Sequence, residues 1–116
     1  MSAPVVVKLG GELLEDPPRL QVVVAAVARV AEAHTPLVIV HGGGREIDAA
    51  LKTAGIEKRQ VDGLRITDEA TLEVVIAVLA GRVNTRVVAS LTTAGVAAVG
   101  LTGADEIGRA SCRERV

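Results

Sequence analysis

The run Val38-Ile39-Val40-His41-Gly42-Gly43-Gly44-Arg45-Glu46-Ile47 restricts this chain more than any other feature. A short β-branched stretch, fit for a strand, meets three glycines and then a segment with helical spacing. Consecutive glycines are costly in folding entropy, and a plain turn seldom needs three of them. They let backbone approach a ligand with no Cβ in the way. A helix that starts there aims unpaired N–H groups and a partial positive charge at the same point. Such a junction is an anion cradle whose natural occupant is phosphate or a carboxylate. A second junction, Val5-Val6-Val7-Lys8-Leu9-Gly10-Gly11-Glu12, carries a lysine near its strand end. Two glycine junctions, one with a cation, point to a phosphoryl-transfer domain of α/β class.

Composition narrows the alternatives. The chain has 116 residues, 49% of them hydrophobic, which suits one globular domain with a sizeable core. A formal charge of −1 gives no electrostatic case for nucleic acid or an anionic membrane. The absence of Phe, Trp and Tyr also removes the stacking on which single-strand binding leans. No apolar run reads as long enough to span a bilayer. The N-terminus lacks the basic-then-apolar layout of a signal peptide, so the expected location is the cytoplasm. Cys112 is the single cysteine and excludes an internal disulfide.

Along the chain, residues 3–9 and 37–41 read as strands buried on both faces. Pro17 and Pro18 suit a helix start, with Asp16 as its cap. Residues 19–33 then carry Leu20, Val23, Val24, Val27 and Val30 at helical spacing, with Pro36 as the stop. Residues 45–54 form the next helix, with Ile47, Ala50, Leu51 and Ala54 inward and Gly55 as its end. Asp62-Gly63 within residues 57–66 signals a hairpin. Thr67-Asp68-Glu69 opens a helix that reaches about Ala80, where Gly81 interrupts it. Residues 82–94 read as a further helix stopped by Gly95, and residues 96–101 as a third buried strand. The order β-α-β-α-hairpin-α-α-β predicts a mainly parallel sheet sandwiched by helices, with a β-hairpin lid. Lys8, His41 and Leu101 would then share the carboxyl ends of the strands, where ligands sit.

Residues 106–116 fit neither periodicity. They resemble a translated sequencing adapter. The expectation is a native segment 1–105 followed by a non-native tail, in an open reading frame cut short after Asp105. The tail holds three Arg and two Glu, so without it the charge moves from −1 to −2.

Each candidate residue has a functional and a plain reading. Lys8 would neutralise phosphoryl oxygens, or it snorkels from a strand end. Gly10 and Gly11 suit a phosphate contact, or only a turn. The chain contains neither G-x-x-x-x-G-K-[ST] nor G-x-G-x-x-G. His41 reads as a packing residue rather than a base, and His34 as a solvated loop residue. Arg65, just past the hairpin tip, could grip a carboxylate with its planar fork or be a surface arginine. Asp68 and Glu69 read as helix-start charges. Asn84 is either a polar site wall or an exposed helical residue. No metal site is expected.

Four segments in order carry a resemblance: Lys8-Leu-Gly-Gly11, His41-Gly-Gly-Gly44, Asp62-Gly-Leu-Arg-Ile-Thr-Asp68 and Val99-Gly-Leu-Thr-Gly-Ala-Asp105. Together they resemble the amino acid kinase superfamily over residues 4–105, and within it the acetylglutamate kinases. Gly63-Leu-Arg-Ile-Thr67 and Leu79-Ala-Gly-Arg-Val-Asn84 point to that branch. The resemblance implies the amino acid kinase (carbamate kinase-like) fold, truncated to its N-terminal amino-acid-substrate lobe. It implies transfer of the γ-phosphoryl of ATP, with Mg2+ carried by the nucleotide, to the side-chain carboxylate of N-acetyl-L-glutamate. This is a step of arginine biosynthesis, and the parent protein would be a homo-oligomer.

By carry-over Lys8 stabilises the transition state, and Gly10 and Gly11 bind phosphate. Gly43, Gly44 and Arg65 bind substrate, with Gly42 and Asn84 as secondary candidates. The main ATP site would lie in the half that is missing, so the fragment alone would be inactive. The alternatives are a sibling kinase of aspartate, glutamate or aminoadipate type, or a non-catalytic anion-binding module.

Overall fold

The computed structural model of the chain describes residues 3–105. Strands β1 (Val5–Leu9) and β2 (Leu37–His41) pair in parallel, Val5 opposite Leu37 and Leu9 opposite His41. Helices α1 (Gly11–Glu15) and α2 (Pro17–Glu32) connect them. Helix α3 (Gly44–Thr53) leaves β2 and is followed by a hairpin of β3 (Gln60–Val61) and β4 (Leu64–Arg65). A continuous helical rod then runs from α4 (Glu69–Ile76) through a π-helical stretch (Ala77–Val83) into α5 (Asn84–Thr93). The core collects Leu9 and Leu14 with Val24, Leu51, Val83 and Leu91, all below a tenth exposed.

Local chemistry explains most boundaries. Asp62 and Gly63 take φ of 52° and 77°, the two positive values that a two-residue hairpin of this kind requires. Helices α3 and α5 end at Gly55 and Gly95, where the amides of Ile56 and Val96 reach back to the carbonyls of Leu51 and Leu91 at 2.9 Å. Asp68 caps α4, its carboxylate accepting from the Thr71 amide at 2.8 Å. Asp16 stands at the cap position of α2 without a side-chain capping bond, and pairs instead with Arg19 at 3.2 Å. Pro18, at the second helical position, has removed one of the two donors that such a cap would serve.

Four sequence expectations change. First, the strands are packed on one face only. Val7, Leu9, Leu37 and Ile39 face the helices, whereas Val6, Val38 and Val40 are 65%, 48% and 46% exposed. Among the described residues nothing covers that second face. Val30 of α2 is likewise 40% exposed rather than inward.

Second, Gly81 does not interrupt the helix. The Asn84 amide bonds back to Leu79 as well as Gly81, so a wider turn absorbs the irregularity. Third, the resulting rod Glu69–Thr93 has 25 residues and holds an 18-residue window of mean hydropathy 1.6, long and apolar enough to cross a bilayer by length and composition. Its inner stripe, Val78, Val83, Val87 and Leu91, is instead part of the core.

Fourth, residues 96–101 make no ladder. Gly95 sends the chain out of α5, and the Asn84 amide stands where a Cβ on Gly100 would collide with it. The segment does not pair with β2, and a cavity of about 460 Å³ lies between them, lined by His41 and Leu101 among others. Beyond it the Asp105 amide bonds the Thr102 carbonyl at 3.1 Å, closing a turn. The tail 106–116, with Cys112, lies outside the described residues.

A Cβ at Gly81 would meet nothing within 4 Å, and its φ is not left-handed. Gly81→Ala should therefore raise stability by about 0.5–1 kcal/mol through helix propensity. Urea unfolding monitored by circular dichroism checks this. A loss of stability would mean that the π stretch needs glycine.

Candidate functional site

The parallel register decides where the two glycine junctions stand. Because Leu9 lies opposite His41, both strands end at the same level, and the Gly42 amide extends the ladder to the Leu9 carbonyl at 3.4 Å. Both chains then turn into helices. Gly10 caps α1 and Gly43 caps α3. A Cβ built on Gly11 would lie 3.7 Å from the Gly43 Cα, so the two loops are in near contact through backbone alone. Gly43 is also pressed from the other side. A Cβ there would come within 2.9 Å of Leu79 Cδ2 and 3.4 Å of Val83 Cγ2, both on the π-helical stretch. Around Gly10, Gly42 and Gly44 a Cβ would find open space. The two helix starts, whose first amides lack partners within their helices, thus stand side by side at one opening, with Gly43 buried, Gly11 part-buried and Gly10, Gly42 and Gly44 exposed.

Lys8 lies two residues before this opening, exposed, on the uncovered face of the sheet. His41 and Asn84 occupy the other side. His41 shares the packed face with Leu9 and, with half-buried Asn84, lines the cavity under Gly100. The sheet therefore separates Lys8 from Asn84. His41 Nδ1 lies 3.1 Å from the carbonyl oxygen of Gly42, which agrees with a packing role. Lys8, Gly10, Gly11, Gly42, Gly43 and Gly44 come together at the strand ends; Asn84 follows Val83, which packs on Gly43, and lines the cavity with His41.

Arg65 is engaged rather than free. Its Nη2 donates to Asp48 Oδ1 at 2.6 Å, and Lys58 Nζ donates to Asp48 Oδ2 at 3.0 Å. Asp48 thereby ties the hairpin to α3, one turn below the glycine junction. The Arg65 hydrogen bond, then that of Lys58 and the charges of both, hold the Asp48 carboxyl below its ordinary value despite an opposing desolvation effect. The second guanidinium nitrogen, Nη1, is buried and has no partner among the described residues. A buried donor of this kind calls for an acceptor.

One group escaped the sequence reading. Arg86 on α5 reaches Glu46 in the first turn of α3 with both nitrogens, at 2.5 and 3.2 Å, and also donates to the Leu14 carbonyl at 3.2 Å. Leu14 is the fourth residue of a five-residue helix, so its carbonyl is among the last four that lack a partner within the helix. Sequence spacing cannot reveal a pair forty residues apart. A carboxylate in a helical first turn is usually read as dipole stabilisation alone. The hydrogen bond from Arg86 is the main cause that lowers the Glu46 carboxyl, against desolvation, with Arg86 and Arg82 charges adding to it.

The chain belongs to the amino acid kinase family: the sequence pattern of the Amino acid kinase family matches residues 3–114. Among curated relatives, acetylglutamate kinase of Chloroflexus aurantiacus is 44% identical over 100 residues, covering 86% of this chain and 38% of the relative. Acetylglutamate kinase of Methanopyrus kandleri is 45% identical over 100 residues, with 86% and 37% covered. The chain thus spans less than two fifths of the length of these relatives. Among solved structures, smu.665 of Streptococcus mutans superposes with a TM-score of 0.74 at 26% identity, covering 86% of this chain and 40% of that one. N-acetylglutamate synthase of Neisseria gonorrhoeae, complexed with coenzyme A and N-acetyl-glutamate, gives a TM-score of 0.68 at 28% identity, with 83% and 22% covered.

Both Glu46 and Asp48 have depressed folded values, so each contributes stability that is present above its unfolded pKa and lost as pH falls through the folded one. Their ordinary values of 4.5 and 3.8 place the loss in the acid limb below about pH 4.5. Glu46→Gln should flatten that limb and cost about 1–3 kcal/mol at neutral pH, since one charged hydrogen-bond partner is lost from a half-buried pair. Thermal melts from pH 3 to pH 7, roughly the carboxylate titration range, read this out. Parallel curves for the two proteins would contradict it.

Proposed function

We propose that this chain is the amino-acid-substrate lobe, residues 1–105, of an acetylglutamate kinase. The complete protein would transfer the γ-phosphoryl of ATP to the side-chain carboxylate of N-acetyl-L-glutamate. The observation that carries the reading is the backbone contact between Gly11 and Gly43 at the ends of two parallel strands. It gives one opening two sets of amide donors, with Lys8 at its margin. The names of the relatives favour this acceptor over aspartate, glutamate or aminoadipate.

The chemistry asks little of the protein beyond position and charge. Phosphoryl transfer to a carboxylate needs no covalent enzyme intermediate. Gly10 and Gly11 would hold phosphoryl oxygens through their amides, and Lys8 would offset charge on the transferring group. Gly43 and Gly44, with Gly42 beside them, would hold the substrate near its reacting carboxylate. The buried, unpartnered Nη1 of Arg65 suits the α-carboxylate, as half of a fork whose other half Asp48 already occupies. Asn84, on the far side of the sheet, is better suited to supporting residues 96–101 than to touching substrate.

ATP fits the amide donors of the opening through its terminal phosphate, and its Mg2+ would arrive on the nucleotide. The remaining nucleotide contacts would come from sequence that the longer relatives possess. The same reading places the reaction in arginine biosynthesis in the cytoplasm, with a homo-oligomeric parent and residues 106–116 as a non-native tail.

A coupled ADP assay on the purified chain, with ATP, Mg2+ and N-acetyl-L-glutamate, should show no turnover. Turnover would contradict the division into lobes. In the complete kinase, Lys8→Ala should lower kcat by about 10²–10³ with little change in KM. Unchanged kcat would remove Lys8 from the mechanism.

A further inference from the structure

The fork from Arg86 to Glu46 lies one helical turn below the contact between Gly11 and Gly43. Glu46 is two residues past Gly44 in α3, and Leu14, whose carbonyl accepts from the same Arg86 nitrogen, is three past Gly11 in α1. A single side chain from α5 therefore links the first turns of both helices that start at the opening. It also meets a carboxylate that, left unpaired, would stand in the first turn of α3 and compete there with any anionic ligand.

The surrounding charges do not replace it. Arg82 faces Glu46 from the π-helical stretch and acts only through its charge. On α3 itself, Arg45 turns toward Glu12 and Glu15 of α1, at 4.0 and 3.8 Å. Glu15 adds negative charge near Arg86 from the α1 side. Glu46 is 14% exposed and Arg86 35%, so water screens the pair only in part.

We propose that Arg86 is a positioning residue for the anion opening: its fork neutralises Glu46, so that the opening presents amide donors and no competing carboxylate, while its tie from α3 to the Leu14 carbonyl of α1 serves stability. The inference rests on the phosphoryl-transfer reading of that opening and extends it to a residue outside both glycine junctions. Two effects follow and can be separated. One is electrostatic and disappears when Glu46 loses its charge. The other is a tether and disappears only when the fork is cut.

Calorimetric titration of the 116-residue chain with N-acetyl-L-glutamate, and separately with inorganic phosphate, tests it. Arg86→Met should weaken binding of both by roughly tenfold, the size of one uncompensated charge nearby at intermediate dielectric. Glu46→Gln combined with Arg86→Met should restore most of the affinity while leaving the melting temperature low. Arg86→Lys keeps the charge without the fork, so it should bind nearly as the parent chain does; Arg86→Gln loses the charge but keeps a donor for the Leu14 carbonyl, so it should weaken binding as Arg86→Met does and covers the case where Arg86→Met fails to fold. Wild-type affinity in Arg86→Met, or a double variant as weak as Arg86→Met, would overturn the inference while leaving the site intact. A parent chain that binds neither ligand would overturn the phosphoryl-transfer reading, and this inference with it.

Discussion

The near contact of Gly11 with Gly43 is the constraint on which the rest of the structure turns. Two parallel strands in register end at the same level, and two chains must leave that level as helices without colliding. A Cβ at Gly11 already lies at van der Waals distance from the Gly43 backbone, and one at Gly43 would drive Leu79 aside. Gly43, itself buried, thus serves packing, and it lets β2, α3 and the π-helical stretch meet beside β1 and α1. In the proposed reading the same junction also serves the site.

Charge is arranged around this contact in two brackets. Arg86 clamps α5 to Glu46 and Leu14, while Asp48 gathers Arg65 and Lys58 and so fastens the hairpin to α3. Each bracket neutralises a carboxylate of α3 within the turn or so that follows Gly44. An anion site at a helix start gains from that, because an unpaired carboxylate there would oppose the ligand. On the other side of the sheet Val6, Val38 and Val40 stay exposed around Lys8.

Much of this was legible in the chain. The three-glycine run, the hairpin at Asp62-Gly63 and the stops at Gly55 and Gly95 each have a local cause, and local causes show in sequence. Long-range pairing does not. The Arg86–Glu46 fork joins residues forty apart, and nothing near either one announces it. The two strands read as buried on both faces because continuous valine runs cannot say whether a second layer exists. Gly81 looked like a break because glycine disfavours helix. Flanking apolar residues that pack on both sides outweigh about 1 kcal/mol of propensity. Residues 96–101 have strand composition, but they join no sheet; the segment packs instead on α5, with Gly100 against Asn84.

The most direct test of the central claim is a two-dimensional amide NMR titration of the 116-residue chain with N-acetyl-L-glutamate. The claim requires the largest shifts at the amides of Gly10, Gly11, Gly42, Gly43 and Gly44, with the Arg65 side-chain signals following. Saturable shifts confined to the cavity between β2 and residues 96–101, or no shifts at any glycine junction, would contradict it.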